Sequence, residues 1–208
     1  GPKSGKASDH FPQPIKTGKL VPIVFSHGYS SSRHNYSVGA TELAAHGYVV
    51  FCPDHQDESC AYTLRKGLPM PFPLKWPKLH GFNDRIHTRR DECIKLIDEI
   101  NQTDYLQTLD FEKGADLDMS KLVVAGHSNG GSTAMAVAEA DKRVKCLLTH
   151  DPWLYPLQFD IWGKFGGFKG RKVDTQNVYT GSFYAFSDKS MPPHYAGFSS
   201  RDQLDYLT

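Results

Sequence analysis

The sequence predicts an α/β fold: a mostly parallel, doubly wound sheet with helices on both faces. Three observations predict it. Short β-branched apolar runs, each ended by glycine, proline or a polar residue, alternate with stretches of helical period along all 208 residues. Strands separated by helices are joined by crossovers, which makes neighbouring strands parallel. Polar residues gather just after the apolar runs, where ligands sit in sheets of this kind.

Taken in order, "LVPIVFSHG" (20–28) reads as a buried strand closed by glycine, and "YSVGATELAAHGY" as a helix with Gly47 just past its end. "YVVFCPDH" is a second strand, stopped by Pro53. "IHTRRDECIKLIDEIN" places Ile86, Cys93, Ile97 and Ile100 on one helical face and charge on the other. "KLVVAG" is the third strand, followed by "GGSTAMAVAEA", a helix of small residues suited to close packing. "VKCLLTHD" and "NVYTGS" supply the fourth and fifth strands. One domain spans 1–208, with an N-terminal extension over 1–19 and active-site-shaping loops over 54–84 and 152–176. His27, Asp54, His55, Ser128 and Asp151 fall at strand carboxyl ends.

Composition narrows the function. A net charge of +1 leaves no basic field of the kind nucleic-acid binding needs. No apolar run approaches a membrane span, and the polar, proline-rich start has no signal-peptide core. Cys52, Cys60, Cys93 and Cys146 have neither metal-ligand nor disulfide spacing, so no metal or cofactor is expected and a reducing, cytoplasmic setting is favoured.

The informative stretch is "LVVAGHSNGGSTAM" (122–135). By chance a G-x-S-x-G turns up in about one chain in fifteen of this length, so its setting matters. Here it follows a strand and opens a small-residue helix, as a nucleophile elbow does, and the helix start aims amides at developing negative charge. Ser128 is therefore the candidate nucleophile. Its oxyanion donors are the amide of Asn129 and, from the loop after the first strand, that of Tyr29. His27, His127 and His150 read as structural, because in this fold the base follows the acid in chain order. Asp151 and Asp188 both stand where the acid could come from, and Asp151 has the better position.

At these residues the chain resembles the platelet-activating factor acetylhydrolase family, in its plasma and intracellular type II forms, which has an α/β-hydrolase fold. "PIVFSHGYSSSRHNYS", "LAAHGYVVFCPDHQDESCAYT", "RRDECIKLIDEIN", "KLVVAGHSNGGSTA" and "DPWLYPL" match in order, from about Pro22 to Pro156 and more weakly to Tyr184. The resemblance implies a calcium-independent serine esterase that removes short or oxidised sn-2 acyl groups from phospholipids, with peripheral contact to lipid surfaces. It implies Ser128 as nucleophile, Asp151 as triad acid, the amides of Tyr29 and Asn129 as oxyanion hole, and Trp153 in the substrate pocket. Two departures stand out. Asn129 occupies a position where the family carries a large apolar residue. The family's histidine falls past the last matched segment, so the base is expected beyond Thr208, with His194 the candidate inside the sequence. The chain is accordingly expected to be an incomplete piece of the fold. A cutinase-like polyester hydrolase, which would use Asp188, and a non-catalytic binding subunit are the alternatives.

Overall fold

A computed structural model describes residues 18–73, 77–157, 160 and 179–183. The strands are β1 (Gly18–Ser26), β2 (Tyr48–Phe51), β3 (Tyr62–Arg65), β4 (Leu68–Pro71), β5 (Ala115–Leu117), β6 (Val123–His127), β7 (Cys146–His150) and β8 (Tyr179–Phe183). The helices are α1 (Ser37–Ala45), α2 (Leu79–Ile100) and α3 (Asn129–Ala140). The main sheet runs β2-β1-β6-β7-β8, with β5 on the first residues of β1. Every pairing described in it is parallel. All five strands read from the sequence are present. Gly47, at φ +88°, closes α1 as anticipated.

The strand order positions the site. From β1 the chain goes outward to β2, then returns to the far side of β1 as β6. The reversal opens a crevice between the carboxyl ends of β1 and β6. The loop after β1 and the turn after β6 face each other there.

The core lies between the sheet and the packed pair α2 and α3. Ile86, Cys93, Ile97 and Ile100 of α2 are all buried, as their spacing predicts. Residues 129–138 of α3 are buried without a break, so small side chains are needed all round it. Gly130 shows the constraint. A Cβ there would overlap the backbone carbonyl of Ser26 and lie 2.7 Å from the His27 carbonyl oxygen. A Cβ at Gly126 would overlap the Gly130 carbonyl. These glycines let the start of α3 sit directly on β1 and β6.

Three sequence readings need correction. The 54–84 segment is not wholly loop: it holds the β3–β4 hairpin, and α2 begins at Leu79 inside it. The hairpin turns at Lys66 and Gly67, both at positive φ (+51° and +78°), which suits the right-handed twist of the paired strands. β5 was not foreseen, since three residues carry no period. The charge of α2 was read onto the face opposite its isoleucines, yet Arg89 is fully buried. Three residues on from Ile86, it shares the inner face and finds polar partners there.

Candidate active site

Ser128 occupies the turn between β6 and α3 at φ +53°, ψ −119°. That conformation is close to glycine-only and persists only where the surroundings over-determine it. They do so here. The Ser128 amide donates to the His150 carbonyl at 3.0 Å, extending the β6–β7 ladder by one residue. Its carbonyl accepts from the amides of Trp153 (2.9 Å), Gly131 (3.0 Å) and Ser132 (3.3 Å). The elbow is thus laced to the segment after β7, and the Ser132 hydroxyl adds a bond to the Trp153 carbonyl.

Across the crevice lies the loop holding Gly28 and Tyr29. Tyr36 ties it to the elbow: its hydroxyl accepts from the Gly28 amide (3.0 Å) and donates to His127 Nδ1 (2.8 Å). Burial, and after it the neighbouring His150, hold the His127 imidazole below its ordinary pKa, so it stays neutral and accepts that bond. Gly28 leaves room for the Tyr36 hydroxyl, which would lie 3.1 Å from a Cβ at that position.

Beneath the loop is a buried polar network that the sequence reading missed. His27 Nδ1 donates to the Gly28 carbonyl at 2.8 Å. Burial, and then the Arg89 charge, lower the His27 pKa to about 3. Arg89 Nη1 donates to the His27 carbonyl (2.6 Å) and Nε to Asp57 Oδ2 (2.9 Å), and Ser59 Oγ accepts from both Nε and Nη2. Burial raises the Asp57 carboxyl, but the Arg89 charge and the Ser59 bonds outweigh it and leave its pKa below the ordinary value. A second chain runs alongside. The Ser26 hydroxyl meets His55 Nε2 at 2.8 Å, and His55 Nδ1 meets Glu92 Oε2 at 2.7 Å. Burial drives the His55 pKa well below 6.5 and pushes Glu92 up to about 7. A Ser–His–Glu array of this kind resembles a catalytic one, but Ser26 and His55 are enclosed and no substrate can reach them. The only advance signal was an arginine and a glutamate on a helix beside a "PDHQDES" stretch.

The remaining residues sort as follows. Asp151 begins the segment after β7, at φ +46°, and its charge opposes the lowering of the His127 pKa. Asn129 is buried, and its side-chain Oδ1 has no hydrogen-bond partner among the described residues. Tyr29 and Trp153 come together with ring centroids 6.1 Å apart, and Phe72 and Phe82 also pack on Tyr29. His27 and His127 act through hydrogen bonds, as read. His150 ends β7 exposed. Asp188 and His194 lie outside the described residues.

Among the described residues one group has metal-ligand atoms within 4.8 Å of one another: His27, Asp54 and Cys60. Its donor set does not fit an ion. The Cys60 thiol, kept protonated by burial, donates to the Tyr62 carbonyl at 3.1 Å. Asp54 is already held by the Arg33 amide (2.8 Å) and guanidinium (3.3 Å).

A strained serine between a parallel strand and a helix, facing a glycine loop across the switch point, belongs to an α/β-hydrolase fold. The same fold is seen in a ferulic acid esterase from Streptomyces cinnamoneus, with a TM-score of 0.54 and 20% identity over 65% of this chain and 37% of that one. More specifically, the family profile "Platelet-activating factor acetylhydrolase, isoform II" matches residues 8–166, and the chain belongs to that family. It is 33% identical to the platelet-activating factor acetylhydrolase of Cavia porcellus over 172 residues, and 30% identical to that of Canis lupus familiaris over 174. Each alignment covers 73% of this chain and 39% of the relative, so the chain spans well under half of those proteins.

Proposed function

We propose that this chain carries the nucleophile of a serine esterase that hydrolyses short or oxidised sn-2 acyl groups of phospholipids through an acyl-Ser128 intermediate. The observation that carries the reading is the elbow itself. Ser128 is held at φ +53° by four backbone hydrogen bonds, at the crevice where β1 and β6 part. Strain of this kind persists at functional sites. Family membership supports the substrate class.

In the proposed mechanism Ser128 Oγ attacks the ester carbonyl, and the amides of Asn129 and Tyr29 receive the oxyanion. Asp151 orients the histidine that takes the serine proton and returns it to the leaving lysophospholipid oxygen as the sn-2 C–O bond breaks. Water, deprotonated by the same histidine, then attacks acyl-Ser128, releasing the carboxylic acid and restoring the serine hydroxyl. That base follows Asp151 in the chain and is His194 or a residue past Thr208. Tyr29, Phe72, Phe82 and Trp153 form an aromatic wall beside the loop, suited to an acyl or lipid chain. Four free thiols fit a reducing, cytoplasmic setting, which fractionation of cells would check.

A fluorophosphonate probe on the full-length protein, followed by peptide mapping, tests the reading. Labelling confined to Ser128, abolished in Ser128→Ala together with esterase turnover, is the expected result. Absence of labelling on folded protein would favour the non-catalytic binding subunit instead.

A further inference from the structure

Resting on the esterase reading above, a second assignment concerns how the oxyanion loop is held. We propose that Arg89 is the positioning residue for the oxyanion hole: its buried guanidinium fixes the Tyr29 amide by gripping the chain on both sides of it. On the upstream side Nη1 donates to the carbonyl of His27, two residues before Tyr29, at 2.6 Å. On the downstream side Nε and Nη2 bond the Ser59 hydroxyl, while the Ser59 carbonyl accepts from the amide of Ser30, one residue after Tyr29, at 2.8 Å. Ser31 continues this pairing with Cys60, and the Ala61 amide donates to the Ser31 carbonyl at 2.8 Å. Asp57 closes the arrangement: Oδ2 accepts from Arg89 Nε (2.9 Å), and Oδ1 accepts from the Ser59 amide (3.1 Å) and hydroxyl.

The chemistry requires a guanidinium. Its planar fork offers five donors in fixed directions, and here they reach three acceptor residues on two separate pieces of chain. A lysine ammonium could bond one or two of these acceptors but not span them. Ser30 itself sits at φ +55°, so the loop has no intrinsic preference for this shape and depends on outside contacts. Arg89 touches no reacting atom. Its effect is carried by where the Tyr29 amide points, and an oxyanion donor matters in the transition state, not in substrate binding.

Three variants of the full-length protein test this: Arg89→Lys, Ser59→Ala, and the pair Arg89→Met with Asp57→Asn, which leaves no uncompensated buried charge. The expected result for Arg89→Lys and for the pair is a fall in kcat of roughly 10- to 100-fold with KM within about threefold. Amide exchange at Tyr29 and Ser30 should accelerate by a similar factor, while α3 stays protected. Affinity for a trifluoromethyl ketone, whose adduct carries an oxyanion, should fall in step with kcat. A folded double variant with kcat within threefold of the parent, or unchanged exchange at Tyr29 and Ser30 in either Arg89 variant, would overturn the proposal. If the Arg89 variants do not fold, Ser59→Ala decides: at least about threefold faster exchange at Ser30 supports the assignment, and parental exchange overturns it. Should the parent itself show no esterase turnover, the esterase reading falls while the exchange measurement still judges the role of Arg89.

Discussion

Replacing Ser128 with glycine should make the protein more stable than replacing it with alanine, although both remove the proposed nucleophile. The two variants share the same lost chemistry and differ chiefly in the backbone. At φ +53°, ψ −119° a residue with a Cβ bears about 1–3 kcal/mol of strain, which alanine keeps and glycine relieves. Against this, glycine gains conformational entropy in the unfolded chain, about 0.5–1 kcal/mol. The difference leaves Ser128→Gly ahead by up to about 2.5 kcal/mol, with a midpoint of about 1.2 kcal/mol, or roughly 2–5 °C in Tm at that midpoint for a domain of this size. Calorimetry or urea unfolding of both variants in the same buffer measures it. The four backbone bonds to residue 128 involve only its amide and carbonyl, so both variants retain them. A glycine variant less stable than the alanine variant would refute the claim that the elbow stores strain.

Other expectations concern packing, pH and catalysis. Gly130→Ala should abolish folding at 37 °C or destabilise by more than about 3 kcal/mol, because the new methyl meets backbone of β1 that cannot swing aside; a melting curve decides. Arg89→Met alone should destabilise by about 3–5 kcal/mol by leaving Asp57 charged, buried and unpaired, and urea titration measures the loss. His27 and His55 bind protons when unfolded below about pH 6.5 but not when folded, so acid destabilises, whereas Glu92, raised from 4.5 to about 7, is protonated only in the folded state and works the other way. From these three groups, stability should rise by about 1.4 kcal/mol per unit between pH 4.5 and 6.5, and Glu92→Gln should steepen that to about 2.7; an unchanged slope would contradict the network. Asp151→Asn should cost far more turnover than Asp188→Asn, and His194→Ala in the full-length protein should leave activity intact if the base lies past Thr208, both read from kcat. Added chelator should leave the rate unchanged, and strict calcium dependence would count against the scheme.

The parts of the site legible in advance were those whose requirements are local. A serine needs glycines around it if the turn is to pack on the sheet, and the strand before it and the small-residue helix after it announce themselves by period. The α2 face of Ile86, Cys93, Ile97 and Ile100 was legible for the same reason, since one hydrophobic period implies one buried side. The hairpin within 54–84 escaped notice because prolines at 69 and 71 mask a strand that the Lys66–Gly67 turn nevertheless closes.

By itself, then, the sequence determined the order of β1, β2, β6, β7 and β8 and of the three helices between them, the elbow serine and the candidate oxyanion loop, because each follows from the spacing of a few neighbouring residues. Only the tertiary structure decided what supports them. Arg89 on α2, Asp57 and Ser59 in the loop after β2, and His27 at the end of β1 are up to 62 residues apart and meet under one loop. Nothing in an "RR" pair reveals which arginine goes inward. That depends on whether the fold brings enough acceptors to satisfy a buried guanidinium, and acceptors drawn from two segments distant from α2 come together only once the sheet has assembled.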